Sequence, residues 1–187
     1  MIPDITLLGF TSVGRFQAAW NLGPRLVVDG IAGPLTLAAA ATSAKRHHAG
    51  LPDLSASFGA AQATCHCGGT YAGCQRILVM RELLQALEVL HAHHGGALPI
   101  VDIYRCTGYN AHIGGAADGM HPYGAAADTS SALHLTPAEV QGLHVFSGIG
   151  VGASTHTVQH VDVRHLSGHD VTGGTVLHPS MWTYAGR

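Results

Sequence analysis

Two imidazoles and two carboxylates stand out by their spacing. In GMHPYGAAADTS (119–130), His121 and Asp128 lie seven residues apart, with Gly124 and small alanines between them. In VQHVDVRHL (158–166), His160 and Asp162 are two apart, so on a strand both side chains point to one face. Two imidazoles and one carboxylate make a zinc set that leaves the fourth coordination position open, the mark of a catalytic rather than a structural site. With fifteen histidines in the chain, such a set also arises by chance.

Composition narrows what these groups can serve. Only 11% of the 187 residues are charged and 47% are hydrophobic, with a formal net charge of −2; an average globular domain carries roughly 25% charged residues. A single lysine, Lys45, provides no basic stripe for nucleic acid. High apolar content and small net charge exclude a disordered polyelectrolyte, and no apolar run approaches the ~20 residues of a membrane span. The start, MIPDITLLGF, shows no signal-peptide pattern. A catalytic carboxylate has to come from eleven acids: Glu82, Glu88, Glu139 and eight aspartates.

The elements that would position these groups follow from periodicity. Thr11-Ser12 precedes a short helix through Trp20, the DGIAGPLT turn (29–36) interrupts the chain, and a second helix covers 37–44. Residues 1–48 therefore read as a small all-helical module appended to a domain over 49–187. Residues 50–74 read as loop. Ile77, Met80, Leu83, Leu84, Leu87 and Leu90 share one face of a helix over 75–94, stopped by Gly95-Gly96. LPIVDIYR (98–105) reads as a strand, 106–128 as a Gly-rich loop ending in a strand, and Thr136-Pro137-Ala138-Glu139 as a capping box opening a helix to Phe146. GIGVGAS and VQHVDVRHL read as two further strands. This order predicts an α+β fold with a small antiparallel sheet and flanking helices.

The run YRCTGYNAHIGGAADGMHPYGAAAD (104–128) resembles the zinc D-alanyl-D-alanine carboxypeptidases of the M15 type, whose loop reads Gly-Tyr-Arg, then Asn and Gly-Gly, then His with an Asp seven residues on. HVDVR (160–164) resembles the segment with their third zinc ligand, and Trp182 matches a tryptophan near their C-terminus. FQAAWNLGPRLVVDGIAGPLTLAAA (16–40) resembles the peptidoglycan-binding module that often precedes such peptidases. The resemblance implies zinc on His121, Asp128 and His160, with Arg105 holding a substrate carboxylate through its planar bidentate fork. It places Asn110, Gly114 and Gly115 at the substrate peptide. Some members carry an acid three residues before the third ligand, where this chain has Thr157. Asp162 then becomes the expected general base, with Asp102, Asp118 and Asp170 as fallbacks and His156 as a second acid/base candidate. Asp162 reads equally well as a group that orients a ligand imidazole or pairs with Arg164.

Cys65, Cys67, Cys74 and Cys106 follow no ribbon or finger spacing. The oxidising surroundings of a wall enzyme and the even count favour one or two disulfides, with a structural zinc or four reduced thiols as the other readings. His91, His93 and His94 suit a solvated helix C-terminus. The function expected is that of a zinc-dependent, monomeric peptidase cutting D-Ala-D-Ala-type bonds in peptidoglycan stem peptides at the bacterial cell wall. The alternatives are a wall endopeptidase of endolysin type, acting on L-Ala-D-Glu bonds or cross-links, and a non-catalytic zinc-containing wall-binding protein.

Overall fold

Proline and serine set the first helices. In a computed structural model describing residues 2–169 and 173–184, α1 (Pro3–Leu7) and α3 (Pro34–His48) both begin on a proline, whose missing N–H is no loss in a first turn. Helix α2 (Val13–Ala19) is capped by Ser12, whose hydroxyl accepts from the Arg15 N–H at 3.3 Å. The DGIAGP turn is organised by one buried side chain. Gln17 Nε2 lies 2.9 Å from Asp29 Oδ1 and 3.0 Å from both Ile31 O and Thr36 Oγ1, while its Oε1 accepts from Gly30 N at 2.9 Å.

These helices share a core with the rest of the chain. Ile5, Leu8, Phe10, Phe16 and Trp20 belong to the same buried cluster as Leu83, Leu84, Leu87 and Leu90 of α4 (Arg81–His94). Arg81 donates to Trp20 O at 2.6 Å and Gly23 O at 2.9 Å, and Asn21 N donates to Leu54 O at 2.8 Å. Helix α4 starts six residues later than the periodicity predicts. Buried Ile77 and Val79 alternate with half-buried Leu78 and Met80, a period of two, and Ile77 bridges to Thr64. The helix ends at Gly95 in the left-handed region, as expected.

The sheet has five strands: β1 (Ile100–Asp102), β2 (Ala126–Thr129), β3 (Gly148–Gly152), β4 (Val158–Asp162) and β5 (Ser180–Tyr184). Their order is β1-β2-β4-β3-β5, antiparallel except for the parallel β3–β5 pair. The fold is α+β, as the element order predicts. Besides α4, three of the expected elements differ. Helix α5 (Thr107–His112) occupies part of the Gly-rich loop, α6 (Pro137–Gly142) stops short of Phe146 despite its capping box, and β4 yields to α7 (Arg164–Ser167). Strand β5 comes from the tail, where no pattern announced it. Among the described residues no helix is long and apolar enough to cross a membrane.

Gln17→Leu keeps the volume but leaves the Gly30 N–H and Thr36 hydroxyl without their partner. Thermal unfolding of this variant should show a loss of about 1–3 kcal/mol; an unchanged midpoint would remove Gln17 as the organiser of the turn.

Candidate functional site

Register brings the paired groups together. Asp128 of β2 and His160 of β4 are directly opposed on neighbouring antiparallel strands, so their side chains rise side by side from one face. His121 opens a short 3-10 turn (His121–Tyr123), and Gly124 then reverses the chain into β2. Gly124 sits at φ +66°, and a Cβ there would lie 2.6 Å from Leu78 O, so only glycine makes this reversal. The seven-residue His–Asp spacing is thus one turn plus one glycine reversal.

Three donor atoms converge on one point. His121 Nε2 lies 3.1 Å from Asp128 Oδ1 and 3.2 Å from His160 Nδ1, and His160 Nδ1 lies 3.0 Å from Asp128 Oδ1. A tetrahedral ion with bonds of about 2.0–2.1 Å would hold its donors about 3.3 Å apart, so this triangle fits a zinc-sized cation.

The surrounding groups orient the triangle. His121 Nδ1 is 2.7 Å from Ile103 O, and His160 Nε2 is 3.1 Å from Asp162 Oδ2. This network assigns a proton to each outer nitrogen and turns the inner lone pairs towards the common point. Burial, reinforced by neighbouring His160 and Arg105, pushes the His121 imidazole well below its ordinary pKa and keeps it neutral. Arg105 Nη2 pairs with Asp128 Oδ2, and its Nε donates to Asp102 Oδ2 at 3.0 Å.

Asp162 does not face the cleft. Its side chain is 0% exposed, and Oδ1 accepts from Arg164 N at 3.0 Å and Arg164 Nε at 2.9 Å. Oδ2 takes Arg164 Nη2 at 2.7 Å and the outer nitrogen of His160. Space for this carboxylate comes from Gly148 on β3, where a Cβ would fall 2.3–2.5 Å from the Asp162 carboxylate atoms. Burial by itself raises the carboxyl, but the His160 and Arg164 hydrogen bonds outweigh it and hold the pKa at about 2, against 3.8 ordinarily.

A cleft opens over the triangle, lined among others by Arg105, Asn110, Gly114, Gly115, Asp118 and Trp182. Buried Asn110 shapes its loop: Nδ2 donates to Ala116 O at 2.9 Å, and a Cβ at Gly115 would collide with its amide. Trp182 is packed 5.2 Å from the His160 ring, with the Arg164 guanidinium 4.7 Å above it. Asp118 is exposed and its side chain makes no hydrogen bond or ion pair among the described residues. Thr157 is buried against Thr155, and His156 is exposed and does not line the cleft. Asp170 lies outside the described residues. The cysteines are all free, so the expected disulfides are not formed.

An α+β chain that gathers two inward-turned imidazoles and a carboxylate beneath an open cleft has the site of a metal-dependent hydrolase. A family model described as Peptidase M15 matches residues 56–162, more than half of the chain, and the chain belongs to that family of metallopeptidases. The match spans His121, Asp128, His160, Asp162 and all four cysteines; residues 1–55 lie outside it. No curated protein matches the chain.

Because Asp162 has a folded pKa below its unfolded one, its contribution is fully present above pH 3.8 and is lost as the pH falls towards about 2. In metal-free protein this loss should reach about 2 kcal/mol. Urea midpoints measured across that window should fall more steeply for the wild type than for Asp162→Asn; equal slopes would contradict the assignment.

Proposed function

We propose that the chain is a zinc peptidase acting on peptidoglycan stem peptides, releasing a terminal D-alanine at the bacterial cell wall. The observation that carries this reading is the His121–Asp128–His160 donor triangle beneath an open cleft. Zinc held there would acidify a water towards a pKa of ~7 and polarise the scissile carbonyl. The chain's own groups do the rest. Ile103 O and Asp162 hold the two imidazoles in the required tautomers, while Arg105 steadies Asp128 by engaging its second oxygen. Four carboxylates (Asp102, Asp118, Asp128, Asp162) against two guanidiniums (Arg105, Arg164) leave two negative charges in excess, an environment suited to a cation.

Asp162 takes the orienting role rather than the base expected of it. Both its oxygens are engaged on the side of His160 remote from the cleft, and a carboxyl held at about 2 is a poor proton acceptor. Asp102 is held by Arg105, with His66 Nδ1 3.1 Å from its other oxygen. Asp118, which lines the cleft and whose side chain has no partner among the described residues, is then the carboxylate to accept the water's proton and pass it to the leaving amine. Asn110, Gly114 and Gly115 shape the wall against which the peptide lies.

Cleavage at an internal bond, such as a cross-link or L-Ala-D-Glu, is the second reading. It is favoured by Arg105, whose side chain is 4% exposed and already pairs with two carboxylates, so a terminal carboxylate has to compete for it.

Chelation, or His121→Ala, should reduce product release to background. Asp118→Asn should lower kcat with zinc retained, whereas Asp162→Asn should weaken zinc binding roughly 10–100-fold and recover turnover at saturating zinc. Full activity in EDTA would sink the reading, and analysis of products from a model pentapeptide and from whole sacculi decides which bond is cut.

A further inference from the structure

A second set of metal-ligating side chains converges away from the cleft. The loop 65–74 and the start of α5 bring together Cys65, Cys67, Cys74 and Cys106, whose sulfurs all lie within 4.8 Å of one another. Cys67 Sγ is 3.4 Å from Cys65 Sγ, 3.4 Å from Cys74 Sγ and 3.7 Å from Cys106 Sγ. Disulfides join sulfurs in pairs at about 2.0 Å, and one sulfur with three near-equal neighbours is not a paired arrangement. A tetrahedral tetrathiolate with Zn–S bonds of about 2.3 Å separates its sulfurs by about 3.8 Å. The observed spacing is close to that.

Two further features match a thiolate site rather than a cluster of neutral thiols. Backbone N–H groups point at sulfur, from Gly69 to Cys67 and from Cys106 to Cys65, both at 3.4 Å. The chain wraps Cys67 through left-handed Gly68 (φ +63°) and Gly69 (φ +91°), with nothing within 4 Å of a Cβ at either position. Conformation rather than crowding therefore calls for glycine there. The small cluster around these cysteines is separate from the main core, and residues 65–76 contain no helix or strand. Such a segment has little to hold it unless a staple does.

The geometry points to a structural zinc site formed by Cys65, Cys67, Cys74 and Cys106. Four protein ligands close it, so it has no open position for catalysis. Its product is mechanical: it ties the 65–74 loop to the residue next to Arg105 and to the N-terminus of α5, which carries Asn110. Tyr71 of the same loop packs 6.4 Å from Tyr109 and 5.9 Å from His112, so the loop backs the cleft wall. This inference stands independently of the peptidase reading.

The test is metal content in a His121→Ala/His160→Ala variant, purified from zinc-supplemented medium. One zinc per chain should remain. Cobalt in its place should give the intense near-ultraviolet sulfur-to-cobalt charge transfer of a tetrahedral thiolate site. Cys67→Ser or Cys106→Ser should abolish both. Should those variants fail to fold, the cysteine-intact double variant still decides: thiol-modifying reagent should release zinc in step with the cysteines it consumes. A double variant with no zinc, or an intact mass short of the hydrogens lost to bridging, would overturn the proposal. Equal zinc content in the wild type and the double variant, one per chain in each, would count against the cleft reading while leaving this one standing.

Discussion

The burial of Asp162 is the constraint on which the candidate site depends. A carboxylate with no exposed surface must be compensated, and here Arg164 and the outer nitrogen of His160 do so. That compensation also fixes which way the His160 ring faces. With Nε2 committed to Asp162, Nδ1 is left to meet Asp128 across the strand pair. The same Arg164 lies over Trp182, so β5 and the first residue of α7 are drawn against the ring from the other side. In a chain this poor in charge, three aspartates (Asp102, Asp128, Asp162) and two arginines (Arg105, Arg164) are interlinked around the two imidazoles.

Glycine supports this arrangement at two places beside the donor groups where a side chain could not fit. Gly148 makes room for the Asp162 carboxylate and Gly124 allows the reversal that sets His121 beside Asp128. Both act by leaving space and backbone freedom, which is why they contribute to the site without touching it.

Much of this was legible in the sequence, for identifiable reasons. His160 and Asp162 at i and i+2 share a strand face, and the cap at Thr136 has a chemical signature that needs no tertiary context. The α+β class followed from element order. What was not legible depended on neighbours distant in sequence. Residues 75–80 carry a pattern compatible with a helix, and pairing of Ile77 with Thr64 makes them extended. Strand β5 is parallel to β3 and is drawn in by the sheet, with no alternation strong enough to announce it. The role of Asp162 turned on Gly148, fourteen residues upstream; a glycine inside a strand pattern does signal close approach, but not what approaches. The helical N-terminal residues read as an appended unit because the sequence cannot show that Trp20 and Arg81 meet.

Residues 102–106 connect the His–Asp–His triangle to the cysteine cluster. Asp102 holds Arg105, Ile103 O holds His121, Tyr104 OH receives the Gln75 N–H, Arg105 pairs with Asp128, and Cys106 joins the sulfur cluster. Opening this stretch breaks contacts in several directions at once, so local unfolding is costly at the floor of the cleft. On the cleft wall, the mostly exposed 113–118 segment bends at left-handed Gly114 and is held to Asn110 through the Gly115 N–H and the Ala116 carbonyl. The cleft therefore combines a stiff floor, which keeps its donor atoms in register, with a solvent-exposed rim anchored at Asn110.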